Sequence, residues 1–400
     1  MTIQRNIKLL AWFNFFLDFR LYAPVAILYF ADVAGSFALG MSVFSVVMLA
    51  GAMFEVPTGM FSDRFGRVRT LVIGAGAGVL AVTCYALGGS WGYGWLVIGA
   101  VGEGFARALY SGNNAALLHD TLTDMGQPDA YQEFLGKTSA MFQVALATSA
   151  ILGGLLASVS FLLVMWLSVV PQVLTLVLGL RMIEPVTVQR AEGSVLAQMR
   201  TAFRGIVRNR KLRTISAASI LDHALGESAF QFEAAFINTL WPVWALGLAR
   251  TLSNGGAAIS FYLSGRLIRR FGEFKLLMTG DSYSKVATTA ALAVPTVASP
   301  ALMASTSLFF GVKMVSMGGL MQREFSSDQR ATMGSLTAFV GSLVFAAYSI
   351  MLGGMADWLG IIPALLITEG LSLGVMVLYV RAFRARPDVQ PALDGAAGPD

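Results

Sequence analysis

The sequence predicts an all-α membrane protein of twelve transmembrane helices in two pseudo-symmetric six-helix bundles. Three observations carry that expectation: the length of the apolar blocks, the alternation of basic charge between their connections, and residues that repeat about 200 positions apart.

Apolar residues make up 56% of the chain and charged residues 13%, with a mean hydropathy of +0.67. Soluble domains carry about 25% charged residues, so this composition excludes a water-soluble globule. The blocks Leu71–Leu87, Leu152–Leu180 and Leu359–Val380 approach or exceed the roughly 20 residues that span hydrocarbon as a helix. They lack the strict alternation of a membrane β-barrel. Division at polar loops and Gly/Pro breaks gives helices over 7–33, 41–62, 70–88, 94–118, 132–157, 160–182, 213–237, 250–268, 274–293, 299–320, 332–356 and 360–382. The first follows Arg5 and Lys8, runs past a signal core and meets no small-residue cleavage site. It is read as a membrane helix, not a cleaved leader. Cys84 is the single cysteine and permits no internal disulfide.

Connections after even-numbered spans hold the basic residues: Arg64, Arg67 and Arg69, a run from Arg181 to Arg213, then Arg266, Arg269, Arg270 and Lys275, then Arg323 and Arg330. Those after odd-numbered spans hold almost none, with Arg250 the borderline case. The positive-inside rule then places both termini in the cytoplasm; the expected location is the plasma membrane. This placement, rather than a nucleic-acid partner, explains the net charge of +5. The domain reading is a bundle over 1–184, a cytoplasmic linker over 185–212 that suits a basic amphipathic helix on anionic lipid, a bundle over 213–384, and a disordered tail over 385–400. A monomer is expected.

The two bundles echo each other. Ala38-Leu39-Gly40 precedes Arg64-Phe65-Gly66, as Ala245-Leu246-Gly247 precedes Arg270-Phe271-Gly272. Leu17-Asp18 matches Leu221-Asp222, and Leu152-Gly153-Gly154 matches Leu352-Gly353-Gly354. Each match is weak alone; the shared order and an offset of 200–207 persuade. Parallel six-helix repeats are a transporter architecture whose substrate site lies at the midplane between halves.

Between the second and third spans the chain reads Gly59-Met60-Phe61-Ser62-Asp63-Arg64-Phe65-Gly66-Arg67-Val68-Arg69. This resembles the signature loop of the major facilitator superfamily, a glycine followed by D-R-x-G-R-x-R, so the resemblance implies the major facilitator fold. Gly59 would let a neighbouring helix approach closely and Gly66 would permit a tight turn. Asp63 can latch onto arginine, and Asp120 is a candidate partner for Arg64 or Arg67. The second-half copy has Arg269 where the first has Asp63, so a latch there is absent or inverted. Two departures stand out: the exporter motif G-P-x-x-G-G lacks its proline in Ser149–Gly154, and R-x-x-Q-G of the fourth helix is replaced around Arg107.

Ionisable groups in hydrocarbon cost roughly 2.5–3.5 kcal/mol, so they face a partner or a wet cavity. At 1.5 Å per residue, Asp18, Arg107, Asp222 and Lys313 fall near mid-bilayer on the first, fourth, seventh and tenth spans. Helices in those places surround the central cavity of the superfamily that the chain resembles. Helical spacing adds Asn14 and Tyr22 to Asp18, and Glu103 and Asn114 to Arg107. His223 and Glu227 lie beside Asp222. Arg20 is expected to face a different neighbour from Asp18, and Glu55 and Glu369 are further buried acids. Of the aromatic residues, Trp12, Phe13, Phe15, Phe16, Phe230, Phe232, Trp241 and Trp244 either line a greasy pocket or face lipid.

The function these features predict is secondary active transport of a small molecule together with protons. Proton-coupled efflux of a moderately apolar drug or metabolite is the first expectation and proton-coupled nutrient uptake the alternative. No cofactor and no metal are expected. No Walker-type segment supports ATP-driven pumping. An intramembrane enzyme would need a carboxylate-built metal site, since the chain has only His119 and His223. A non-transporting receptor would bind solute without moving it.

Overall fold

Three of the expected spans are interrupted rather than continuous. The computed structural model describes residues 4–185, 210–324 and 330–384. Among them the regular structure is helical: α1 (Arg5–Asp18), α2 (Ala26–Ala34), α3 (Phe37–Phe65), α4 (Arg67–Trp91), α5 (Tyr93–Tyr110), α6 (Asn113–Asp124), α7 (Tyr131–Ala157) and α8 (Phe161–Gly179). There follow α9 (Arg210–Ile237), α10 (Val243–Phe271), α11 (Glu273–Ala293), α12 (Ser299–Ser305), α13 (Phe310–Glu324), α14 (Arg330–Leu359) and α15 (Ile361–Arg384). The side chain of Asp63, the stretch 186–209 of the expected linker and the tail 385–400 lie outside the described residues.

The first expected span divides into α1 and α2, joined through the short 3-10 turn Ala23–Val25. Pro24 lies in that turn and has no N–H to continue a helix. Freed backbone must find partners inside a membrane, and it does: the Leu17 carbonyl accepts from Gln172 Nε2 at 3.3 Å. The fourth span breaks at Ser111-Gly112, where Gly112 has φ +73°, a conformation that favours glycine. The tenth passes from α12 to α13 through a 3-10 turn at Thr306–Phe309.

Seven of the described helical stretches are long and apolar enough to cross a membrane, with window hydropathies of 1.3–2.3. Helices below that level carry charge: α1 ends at Asp18, α5 holds Glu103 and Arg107, α9 holds Asp222 and Glu227, and α11 holds Asp281 and Lys285. The seven include the stretch containing Lys313, which has the lowest value of the set.

Helices before residue 185 meet those after 210 chiefly at two crossings, α3 on α14 and α7 on α10, with smaller contacts of α2 on α9 and of the turn Ala23–Val25 on α10. In the first, Ser45 Oγ and Ser349 Oγ are 2.6 Å apart and Ser45 donates to the Ala346 carbonyl at 2.9 Å. In the second, Thr251 donates to the Ala147 carbonyl at 3.3 Å. Glycine allows both approaches. A Cβ at Gly154 would lie 2.5 Å from the Trp244 carbonyl oxygen, at Gly247 2.1 Å from that of Ala150, and at Gly353 2.4 Å from that of Phe37. Both crossings lie toward the start of α3 and α10 and the end of α7 and α14. Further along α3 and α10, Met53 is 71% and Tyr262 78% exposed.

Several expectations are corrected. Gly59 has nothing among the described residues within 4 Å of where a Cβ would stand, so no helix approaches there. Glu55 is exposed rather than buried, because α3 has moved clear of its crossing partner by that point. The eighth span starts at Val243, seven residues before its expected start. Arg250 is therefore a helical residue stacked 3.4 Å from the Phe230 ring centroid, not a loop charge.

Candidate functional site: two buried charge clusters

The first cluster is organised by Glu103 of α5. Its Oε1 accepts from Arg20 Nη1 at 2.9 Å and from Arg107 Nη2 and Nε at 2.7 and 3.0 Å. Its Oε2 accepts from the Tyr85 hydroxyl at 2.8 Å and the Tyr22 hydroxyl at 3.3 Å. One carboxylate thus holds two guanidinium groups and two phenols from three segments of chain. Charge-assisted hydrogen bonds of this kind are the strong ones, and charges taken out of water need them. Arg20 reaches Glu103 because the helix ends at Asp18 and the chain turns. The sequence expectation that Arg20 faces a different neighbour from Asp18 is corrected, because the break at Asp18 brings both into the surroundings of Glu103 and Arg107. Asp18 has Arg20 and Arg107 as electrostatic neighbours.

Both expected stripes are cut by the helix breaks. Asn14 is helical while Tyr22 lies past the end of α1, and Tyr22 nevertheless joins the cluster through Glu103. Asn114 stands on α6, beyond the break that separates it from Glu103 and Arg107. The buried side-chain carbonyl oxygens of Asn14 and Asn114 have no hydrogen-bond partner. Of the aromatic residues, Phe13 and Phe232 are fully buried in packing, whereas Trp12 and Trp244 are about half exposed.

The second cluster lies on α9, α11, α13 and α15. Lys313 donates to Asp281, and Lys285 pairs with Glu369 at 3.2 Å. Asp222 is an electrostatic neighbour of Lys313, Asp281, Lys285 and His223. Glu227 instead accepts from Gln231 Nε2 at 2.7 Å. His223 is exposed. Sequence reasoning missed Asp281 and Lys285. The signal was present, an acid and a base one turn apart inside the apolar stretch 274–293, but no repeat partner drew attention to it. Tyr85 was missed because a tyrosine in an apolar block reads as packing.

The loop motif forms a third arrangement. Gly66 has φ +100° and turns the chain between α3 and α4, as expected of it. Arg67 Nη1 donates to Ser62 Oγ at 2.9 Å and to Asn113 Oδ1 at 3.2 Å. Ser62 Oγ also donates to Asn113 Oδ1. Asp120 lies 3.9 Å from Arg67 Nε, so of the two arginines named as its candidates Arg67 is the one it faces. Arg64 is exposed, with its guanidinium 5.4 Å from the Phe65 ring centroid. An unexpected acid completes the loop: Glu184 accepts from the backbone N–H of Arg67 at 2.5 Å and of Val68 at 2.9 Å.

Long apolar helices, breaks at places where backbone is satisfied by side chains, and charge clusters buried among them define an integral membrane transporter. Comparison with known proteins makes the class specific. The chain belongs to the Major Facilitator Superfamily, whose model matches residues 9–349. Its fold is similar to a mutant of the nucleoside transporter NupG, with TM-score 0.82, 15% identity, and 96% of this chain and 100% of that one covered. It is also similar to a bacterial homologue of the human lysosomal transporter Spinster in an inward-facing, unoccupied conformation, with TM-score 0.71 and 15% identity over 96% and 97% of the two chains. A D-xylose–proton symporter gives TM-score 0.71 and 14% identity over 94% and 97%. No curated protein matches the chain by sequence. Family membership makes the chain a transporter of small molecules rather than an enzyme.

Proposed function

We propose that the chain is a proton-coupled secondary transporter working by alternating access, with efflux of a small, moderately apolar drug or metabolite as its reaction. Grouping the interrupted helices gives twelve crossings in two bundles, joined by a cytoplasmic linker, with both termini in the cytoplasm of a plasma-membrane monomer. The observation that carries the reading is the Arg20–Glu103–Arg107 cluster with its counterpart around Lys313. Ionic groups kept at that depth are costly even when paired, and they mark solute or ion pathways. The crossings at Ser45–Ser349 and Ala147–Thr251 favour a carrier closed on the outer side and open toward the cytoplasm.

Proton-coupled uptake of a polar nutrient is the second reading. Arg107 favours it, since its side chain is 46% exposed and offers charge to the cavity. The likeness to a chain described as a proton symporter agrees with it. In both readings Asp18, Asp222, Glu227 and Glu103 are the acids available to protons, with Asn14, Tyr22, Asn114, His223, Arg107 and Lys313 around the solute. Gly59, Asp63, Arg64, Gly66, Arg67 and Asp120 serve the cytoplasmic gate.

The test is transport in liposomes with an imposed proton gradient, using nucleosides, pentoses and apolar dyes as solutes. Gradient-dependent movement of one class, abolished by a protonophore, is the expected result. Binding without movement of any bound solute would favour the receptor reading.

A further inference from the structure

We infer that Asp222 is the carboxyl that loads and releases the transported proton, while Lys313 passes between Asp281 and Asp222 as the carrier changes face. The inference deepens the proton-coupled reading above and rests on it.

Charge counting separates the two clusters. Around Glu103, two acids (Asp18 and Glu103) face two arginines (Arg20 and Arg107), so the first cluster is balanced. Around Lys313, among the described residues, three acids (Asp222, Asp281 and Glu369) face two lysines (Lys285 and Lys313), with His223 a third base only when it is protonated. A surplus carboxylate away from water is neutralised most cheaply by a proton. The bases differ too. Arginine is always charged and its planar fork locks onto a carboxylate, whereas lysine is a compact charge on a flexible stem. The first cluster is built to stay and the second to rearrange.

The pairing singles out one acid. Asp281 holds Lys313 and Glu369 holds Lys285 at 3.2 Å. Asp222 has no ion pair within 4.0 Å and no hydrogen bond from its side chain among the described residues, although Lys313 is its neighbour. The charged and titratable groups facing it are Asp281 and Lys285 from α11, Lys313 from α13, Tyr379 from α15 and His223 from its own helix. From α14, Gly341 lies beside the His223 ring, where an added Cβ would stand 3.5 Å from Cδ2. Gly280 makes room for the Lys313 stem: a Cβ there would stand 3.1 Å from Lys313 Cγ. No group of three or more His, Cys, Asp or Glu among the described residues could hold a metal ion, and the Lys313 ammonium already lies between the acids. In the step itself, water on the open side gives a proton to an Asp222 oxygen. When Lys313 Nζ moves from Asp281 to Asp222, that O–H bond breaks and the proton leaves to water on the other side. The ammonium keeps its charge throughout.

The test is infrared titration of the full chain in lipid nanodiscs, with the proton itself as probe and sodium chloride as control. A carboxylic-acid C=O band that titrates in the unaltered protein should be lost in Asp222→Asn and retained in Asp18→Asn and Glu369→Gln. In Asp222→Glu it should shift rather than vanish, which guards against a variant that misfolds. A band that survives Asp222→Asn, vanishes in Asp18→Asn, bleaches with sodium at fixed pH or is absent at every pH overturns the assignment. The measurement needs no solute. A protein that moves nothing yet shows the Asp222 band fails only the transport reading; proton-driven transport by Asp222→Asn fails only this one.

Discussion

Glu184 holds Arg67 by its backbone rather than by its charge: the Arg67 N–H donates to Glu184 Oε1 at 2.5 Å, while the guanidinium turns to Ser62 and Asn113. The carboxylate therefore caps α4, and the first N–H groups of a helix are the natural place for a negative charge. Asn6 and Ile183 exchange two hydrogen bonds next to it, at 2.6 and 3.0 Å, so the chain after α8 is fixed to both α1 and α4. Glu184→Ala should cost about 0.5–2 kcal/mol, the range of a lost cap, and lower the unfolding midpoint in detergent. Gly66→Ala should cost more. Its φ of +100° strains any side chain, and the new Cβ would stand 2.6 Å from the Glu184 carboxyl carbon.

Glu103→Gln should destabilise the protein strongly, because it leaves the Arg20 and Arg107 charges facing each other without their shared acid. Removing one partner of a buried pair costs about 3–5 kcal/mol, and the exposure of Arg107 places this case toward the lower end. Adding Arg107→Gln should recover part of the loss, since it removes one stranded cation. Thermal unfolding of the single and double variants checks both statements, and a fully additive loss would refute the shared-acid arrangement.

Gly247→Leu should drive the carrier toward an outward-open state. The Ala150 carbonyl oxygen would be 2.1 Å from the first added carbon, and Gly154 packs against the same turn of α10. Close backbone contacts such as these contribute about 0.5–1 kcal/mol each. Spin-label distances between the end of α7 and the start of α10 should lengthen, with α3 and α14 following. Unchanged distances would mean that the crossing is not a gate.

Asp357→Asn should shift the same equilibrium more gently. Its carboxylate accepts from the Phe37 and Ala38 N–H groups at 2.8 and 2.9 Å, so the end of α14 caps the start of α3 across the seam. Losing charge but keeping shape should cost about 0.5–1 kcal/mol, roughly a two- to fivefold change in the open fraction. The same spin-label distances read it.

Much of the site was legible because charge in an apolar block has few innocent uses. Asp18, Arg107, Asp222 and Lys313 stand out by depth, Glu103 by its helical spacing from Arg107, and the repeat pairs Asp18 with Asp222 and Arg107 with Lys313. Lys285 and Asp281 were equally deep but lacked repeat partners. Breaks at Asp18 and Ser111 were not legible, since Pro24 and Gly112 are common in membrane helices that stay continuous. Their effect on the site is large: one releases Arg20 toward Glu103 and the other removes Asn114 from the stripe.

The sequence by itself determined that the chain is helical, lies in a membrane and carries its ionic groups at depth, because hydropathy and charge are properties of each residue summed over a helix length. The tertiary structure decided which acid meets which base, which glycines close a seam, and that Glu184 rather than Asp120 is the tighter partner of the loop. Those choices depend on distances of a few ångströms between segments far apart in the chain, and no residue's own chemistry encodes them.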